Sequence, residues 1–104
     1  MIKRLTMWHT KESVPSQEAL AYWRSTHADL VRQVPGIRRY VQHHCVDSPE
    51  GGRIPYTGLG EVWFDSFHAA ALATNTGAWS AVIADADTFM DLRLSLLLGL
   101  KSIS

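Results

Sequence analysis

Histidine, tyrosine and tryptophan are the side chains of this sequence best suited to chemistry near neutral pH, and His27 stands out by position. It lies within a run whose apolar residues Leu20, Trp23, Leu30, Val31 and Val34 recur at helical spacing. An imidazole on that stripe points into the space between a helix and the layer beneath it. There it is either a core histidine bonded to a backbone carbonyl or a general acid or base in an apolar pocket. Tyr40 follows the Pro35-Gly36 turn, so the next element can return it beneath the same helix. Its hydroxyl can donate to a developing oxyanion while its ring packs against an apolar ligand. The same residue serves equally as a plain core aromatic. Trp8, Trp23 and Trp63 are candidate walls of a substrate pocket, with His9 and Trp79 beside them, or ordinary core.

Other reactive residues point nowhere together. His43 and His44 are consecutive in an alternating stretch, so they face opposite ways and cannot chelate one ion. His9 and His68 lack partners at ligand spacing, and no metal is expected. Cys45 is the single cysteine, which excludes an intrachain disulfide and reads as a buried, inert thiol. Gly58 and Gly60 open a strand; without GxGxxG or a following Lys-Ser they are no phosphate loop.

The elements that position these residues follow from local pattern. Residues 2–9 alternate, with Leu5 and Met7 opposed to Ile2 and Trp8, and predict a strand. A helix follows with Ser16 as its N-cap and Pro35-Gly36 as its stop. Residues 37–46 predict a second strand, Asp47 to Gly52 a turn whose loop runs towards Tyr56, and residues 58–64 a third strand. Ser66 caps a helix through Leu72, Asn75-Thr76-Gly77 interrupts it, and Trp79, Val82, Ile83 and Ala86 continue it. Residues 92–100 form a solid apolar run, expected as a last strand buried on both faces.

The order β-α-β-β-α-β predicts an α+β, ferredoxin-like chain, a four-stranded antiparallel sheet with helices on one face. Both registers of its strands carry large apolar groups, so the face away from the helices needs cover that a chain of this size lacks. The expected partner is a second copy, a homodimer packed through the sheet face.

Composition bounds the rest. The 104 residues, 46% hydrophobic and 19% charged, make one domain spanning 1–104 and exclude disorder. Ten Lys+Arg balance ten Asp+Glu, so nucleic acid and anionic membrane are not expected partners. Residues 1–46 carry seven cations against three acids and residues 47–104 three against seven, giving halves of +4 and −4. Such halves either neighbour each other within the fold or complement each other across an interface. No apolar stretch suits a signal peptide or a membrane span, and a cytoplasmic setting is expected.

The run from Ala21 to Val31, with Trp23-Arg24 and His27-Ala28 followed by Leu30-Val31, and then Pro35-Gly36-Ile37 leading to Tyr40, resembles the signature of the EthD (ethyl tert-butyl ether degradation) family. Gly60 to Ser66 and Ala84 to Asp91 resemble that family's later blocks, so the likeness covers nearly the whole chain. It implies a dimeric α/β barrel, in which two sheets close together with helices outside, and a pocket between sheet and helices into which His27 points. Relatives include a methylmuconolactone methylisomerase, whose helix histidine and strand tyrosine match His27 and Tyr40, and cofactor-free polyketide cyclases. That isomerase also uses a cysteine where this chain has Val62, a departure that sets methylisomerase activity itself apart.

The resulting expectation is a cofactor-independent isomerase, lyase or cyclase acting on a small apolar carbonyl compound, with His27 and Tyr40 catalytic and Trp8, Trp23 and Trp63 holding substrate. Its rivals are a non-catalytic protein that binds a hydrophobic metabolite or assists a degradation pathway, and a haem protein of the kind found in other branches of the barrel superfamily.

Overall fold

The computed structural model describes residues 1–46, 48, 50–52 and 55–99. Strand β1 (Ile2–Thr10) is followed by α1 (Ser16–Tyr22), a π-helical turn (Trp23–His27) and α2 (Ala28–Arg32). Then come β2 (Arg39–His44), β3 (Gly58–Phe64), α3 (Phe67–Ala73), α4 (Gly77–Ala86) and β4 (Met90–Gly99). The sheet order is β2-β3-β1-β4 and every pairing is antiparallel. This is the ferredoxin-like arrangement expected from the element order.

The first helix departs from a regular α-helix where the chemistry lies. Ala19, Trp23, His27 and Val31 are all buried and stand four residues apart. In an α-helix each such step drifts by about 40°, so three would carry the last residue off the buried face. The wider i→i+5 turn from Trp23 to His27 absorbs that drift and keeps the row on one face. The N-cap is Pro15 rather than Ser16: Pro15 is extended, no side chain caps the helix, and its carbonyl accepts from Ala19 N. Ser66 does cap α3, accepting from Ala69 N, and Thr76 caps α4 in the same way. Gly36, at φ +90°, makes the reversal after α2 in a conformation that side chains avoid.

Strand alternation sorts the sheet into two faces. Ile2, Trp8, Val62 and Phe64 are buried beneath the helices. Leu5 and Met7 pair with Leu96 and Leu94 on the opposite face, which no described helix covers. The expectation that the last strand is buried on both sides fails. β4 is an edge strand paired only with β1, and Leu92, Leu94, Leu96 and Leu97 are exposed. Leu92, Leu94 and Leu96 alternate onto the open face, whereas Leu97, opposite Arg4, stands on the other. Leu100 lies outside the described residues, as do Asp47 and Pro49 of the expected turn. Lys3–Glu61 and Arg38–Asp65 join the cationic and anionic halves of the chain within the fold.

The Trp23 ring rests on β3 because that strand offers glycine there. A Cβ on Gly58 would lie 2.7 Å from Trp23 Cζ3 and 2.8 Å from Trp8 Nε1. Both indoles are almost wholly buried and cannot retreat. Gly58→Ala is therefore expected to destabilise the fold by about 1–3 kcal/mol through overpacking. Chemical denaturation measures this, and unchanged stability would contradict the packing described.

Candidate functional site

The buried residues form two clusters. One gathers Ile2, Val31, Val62, Phe64 and Val82; the other gathers Trp8, Trp23, Ala86, Phe89 and Met90. A cavity of about 60 Å³ lies at the seam, with walls drawn from both clusters. His27, Tyr40, Trp8 and Trp23 all line it, so four of the five residues singled out from sequence meet in one place. Trp63 does not line it. It alternates with Val62 and Phe64, and its ring lies on the other face of the sheet beneath Lys3 and Arg39.

Asp85, on α4, organises the site. One carboxylate oxygen lies 2.8 Å from His27 Nδ1 and the other accepts from the Tyr22 hydroxyl. The carboxylate fixes the imidazole tautomer: Nδ1 carries the proton and donates it to Asp85, which leaves the Nε2 lone pair available. Burial pushes the His27 pKa below its ordinary value of 6.5, against the opposing pull of Asp85, and the Arg93 charge pushes the same way as burial. The imidazole is thus neutral at pH 7, as a base must be. Phe89 meets the rings of Trp8, Tyr22 and His27 edge-on at 5.2–5.3 Å and closes this end of the site.

Tyr40 is oriented from the strand side. Its oxygen accepts from Gln42 Nε2 at 2.6 Å, and Gln42 also donates to the Trp23 carbonyl at 2.8 Å. An accepted bond on the oxygen leaves the phenolic proton free to donate. Burial raises the Tyr40 pKa above 10, so that proton stays in place at neutral pH.

Asp85 and Tyr22 carried no role in the sequence reading. The available signal was that Asp85 is the sole charged residue in α4, whose other positions are small or apolar. A carboxylate in such a helix needs a partner. Of the residues set aside, His43 pairs with Glu61, His9 stacks on Tyr56, and burial raises the pKa of the free Cys45 thiol. Among the described residues no group of three or more His, Cys, Asp or Glu side chains is placed to hold a metal ion. No described helix is long and apolar enough to cross a membrane.

Sheet order, helix cover and dimensions place the chain in the ferredoxin-like α+β class. The sequence model of the EthD domain matches residues 11–93, and the chain belongs to the EthD family. Among solved structures it resembles an ethyl tert-butyl ether degradation family protein from Bacillus halodurans, with TM-score 0.85 and 24% identity over 97% of this chain and 99% of that one. A dimeric ferredoxin-like protein from Thermobifida fusca matches with TM-score 0.76 and 12% identity, covering 95% and 90%. SnoaB, a cofactor-independent oxygenase from Streptomyces nogalater, matches with TM-score 0.72 and 10% identity, covering 98% and 94%. Comparison with curated proteins gave no match.

Asp85→Asn removes the charge that props up the His27 pKa while leaving the opposing effect of burial in place. The His27 pKa is expected to fall further, by an NMR titration of its ring protons. An unchanged or raised value would contradict the assigned pairing.

Proposed function

We propose that this chain is a cofactor-independent isomerase, lyase or cyclase acting on a small carbonyl compound in the seam cavity. The observation that carries the reading is the His27–Asp85 bond, because the imidazole it fixes shares a cavity with a free phenolic proton. His27 Nε2 takes a proton from the carbon next to the carbonyl. The C–H electron pair becomes a C–C π bond, and charge moves to the oxygen, where Tyr40 donates a hydrogen bond. Returning the proton to another carbon isomerises the substrate. Expelling a neighbouring leaving group, or attacking an internal carbonyl, gives a lyase or a cyclase from the same enolate. Trp8 and Trp23 supply the apolar walls that keep water from competing.

The unit carrying this site is read as a homodimer. Leu5, Met7, Leu94 and Leu96 form a contiguous apolar strip on the uncovered sheet face. A solved structure of similar fold is described as a dimeric ferredoxin-like protein, which supports an assembly of two copies.

Proton–deuterium exchange at carbon, followed by NMR with small ketones and lactones, tests the catalytic reading. His27→Ala is expected to slow exchange by about a hundred- to ten-thousand-fold and Tyr40→Phe by about a hundredfold. The rate should rise with pH through an apparent pKa below 6.5, as His27 loses its proton, and fall only above pH 10. Ligands that bind with no exchange would instead make the chain a binding module. Light scattering is expected to give twice 11.6 kDa, reduced to the single-chain mass by Leu94→Lys with Leu96→Lys. A wild-type monomer at micromolar concentration would overturn the dimer.

A further inference from the structure

The cavity has a second end that the proton-transfer reading leaves unused. On the helix-covered face, β1 places Arg4 and Thr6 beside the β4 residues Ser95 and Arg93, and all four line the cavity. Thr6 Oγ1 and Ser95 Oγ lie 3.1 Å apart, between the two arginines along the strand pair. Among the described residues no Asp or Glu lines this cavity, and the charged side chains that do, Arg4 and Arg93, are cationic. The arginines differ in what holds them. Arg93 is paired with Asp87, whereas Arg4 has no acidic partner among the described residues. The Arg4 guanidinium lies over the Trp79 ring, 5.1 Å from its centroid.

Stacking uses the face of a guanidinium and leaves its edge donors free, the geometry that receives a carboxylate in two parallel hydrogen bonds. Half-burial and the neighbouring Arg93 charge both work against the Arg4 cation, and its pKa is lowered accordingly. A buried charge so placed is costly unless an anion completes it. Arg4, Thr6 and Ser95 thus gather donors at this end, and among the described residues no acidic side chain lines the cavity to receive them.

We propose that the ligand of this cavity bears a carboxylate, seated on Arg4 with Thr6 and Ser95 beside it and Arg93, held by Asp87, at its edge. The inference rests on the catalytic reading for the other end of the molecule, whose carbonyl faces His27 and Tyr40. It narrows the substrate class from an apolar carbonyl compound to a small oxo acid or a lactone bearing an acid. A formally neutral chain so presents a cationic pocket, which draws anions in and discriminates against their esters.

Pyruvate, levulinate and benzoate, each set against its methyl ester, are the probes, with binding followed by NMR at the tryptophan indole N–H signals. The acids are expected to bind about tenfold or more tightly than the esters, with a preference that shrinks as salt rises. Arg4→Gln should abolish the preference and leave ester binding as it was, which also reports that the variant is folded. Arg4→Lys, which keeps the charge and loses the fork, should retain part of it. His27→Ala should keep the preference in full. Acid preference without carbon exchange on any probe would sink the catalytic reading and leave the anion seat standing. Equal exchange on acids and esters would keep the catalytic reading and overturn the carboxylate. Equal binding within each pair, or no binding by any acid, would overturn it as well.

Discussion

The carboxylate of Asp85 is the interaction on which the site depends. It sits near the C-terminal end of α4 and is engaged through both oxygens, by Tyr22 at the end of α1 and by His27 at the end of the π turn. One group therefore ties two helical segments together and sets the tautomer of the imidazole between them. A buried polar network of this kind is worth having only when complete, since a lost member leaves the others unpaired. Position and protonation of His27 are consequently one property of the fold. The base cannot be displaced without also disturbing the contact between α4 and the first helix.

Packing explains why a cavity lies next to that network. The two apolar clusters meet at a seam where the Trp23 indole lies over Gly58 and Gly60 of β3. The indole fills the space a side chain would occupy and meets Trp8 edge-on at 5.1 Å, while the seam between the clusters stays open. The π turn belongs to the same solution. It lets Trp23 and His27 both face the seam, where a continuous α-helix would rotate the row away.

Much of this was legible in the sequence, and what was not has physical causes. Element order, the break at Asn75-Thr76-Gly77, and the joint placement of His27 and Tyr40 follow from short-range spacing and turn chemistry. The π turn is written there too, as three successive four-residue steps through Ala19, Trp23, His27 and Val31, a row that mixed three- and four-residue spacing does not distinguish from an α-helix. Asp85 was out of reach by spacing because it lies 58 residues from His27, and only its isolation in an apolar helix announced a partner. Trp63 shows the limit of residue type: one position along a strand puts an indole on the opposite face. The apolar run of β4 was misjudged for a related reason. An apolar run reads the same whether the strand is buried on both faces or, as here, stands at a sheet edge with its leucines exposed.

β4 joins the two surfaces through its own alternation. Leu94 and Leu96 point to the open face while Arg93 and Ser95 point into the cavity, so one edge strand presents both. Among the described residues its strand partner is β1, and an edge with exposed leucines invites pairing with another chain. Covering the leucines with a second copy, on the dimer reading, pins the strand and with it the donors opposite. Arg4 and Thr6, on β1, share that register. The dimer contact and the polar end of the cavity are then two faces of one strand pair, although no residue belongs to both. This arrangement also accounts for a chain with no net charge carrying an all-cationic cavity. The nearby acids stand behind its walls and pair with lining residues, Asp85 with His27 and Asp87 with Arg93, while Glu61 holds Lys3 and His43.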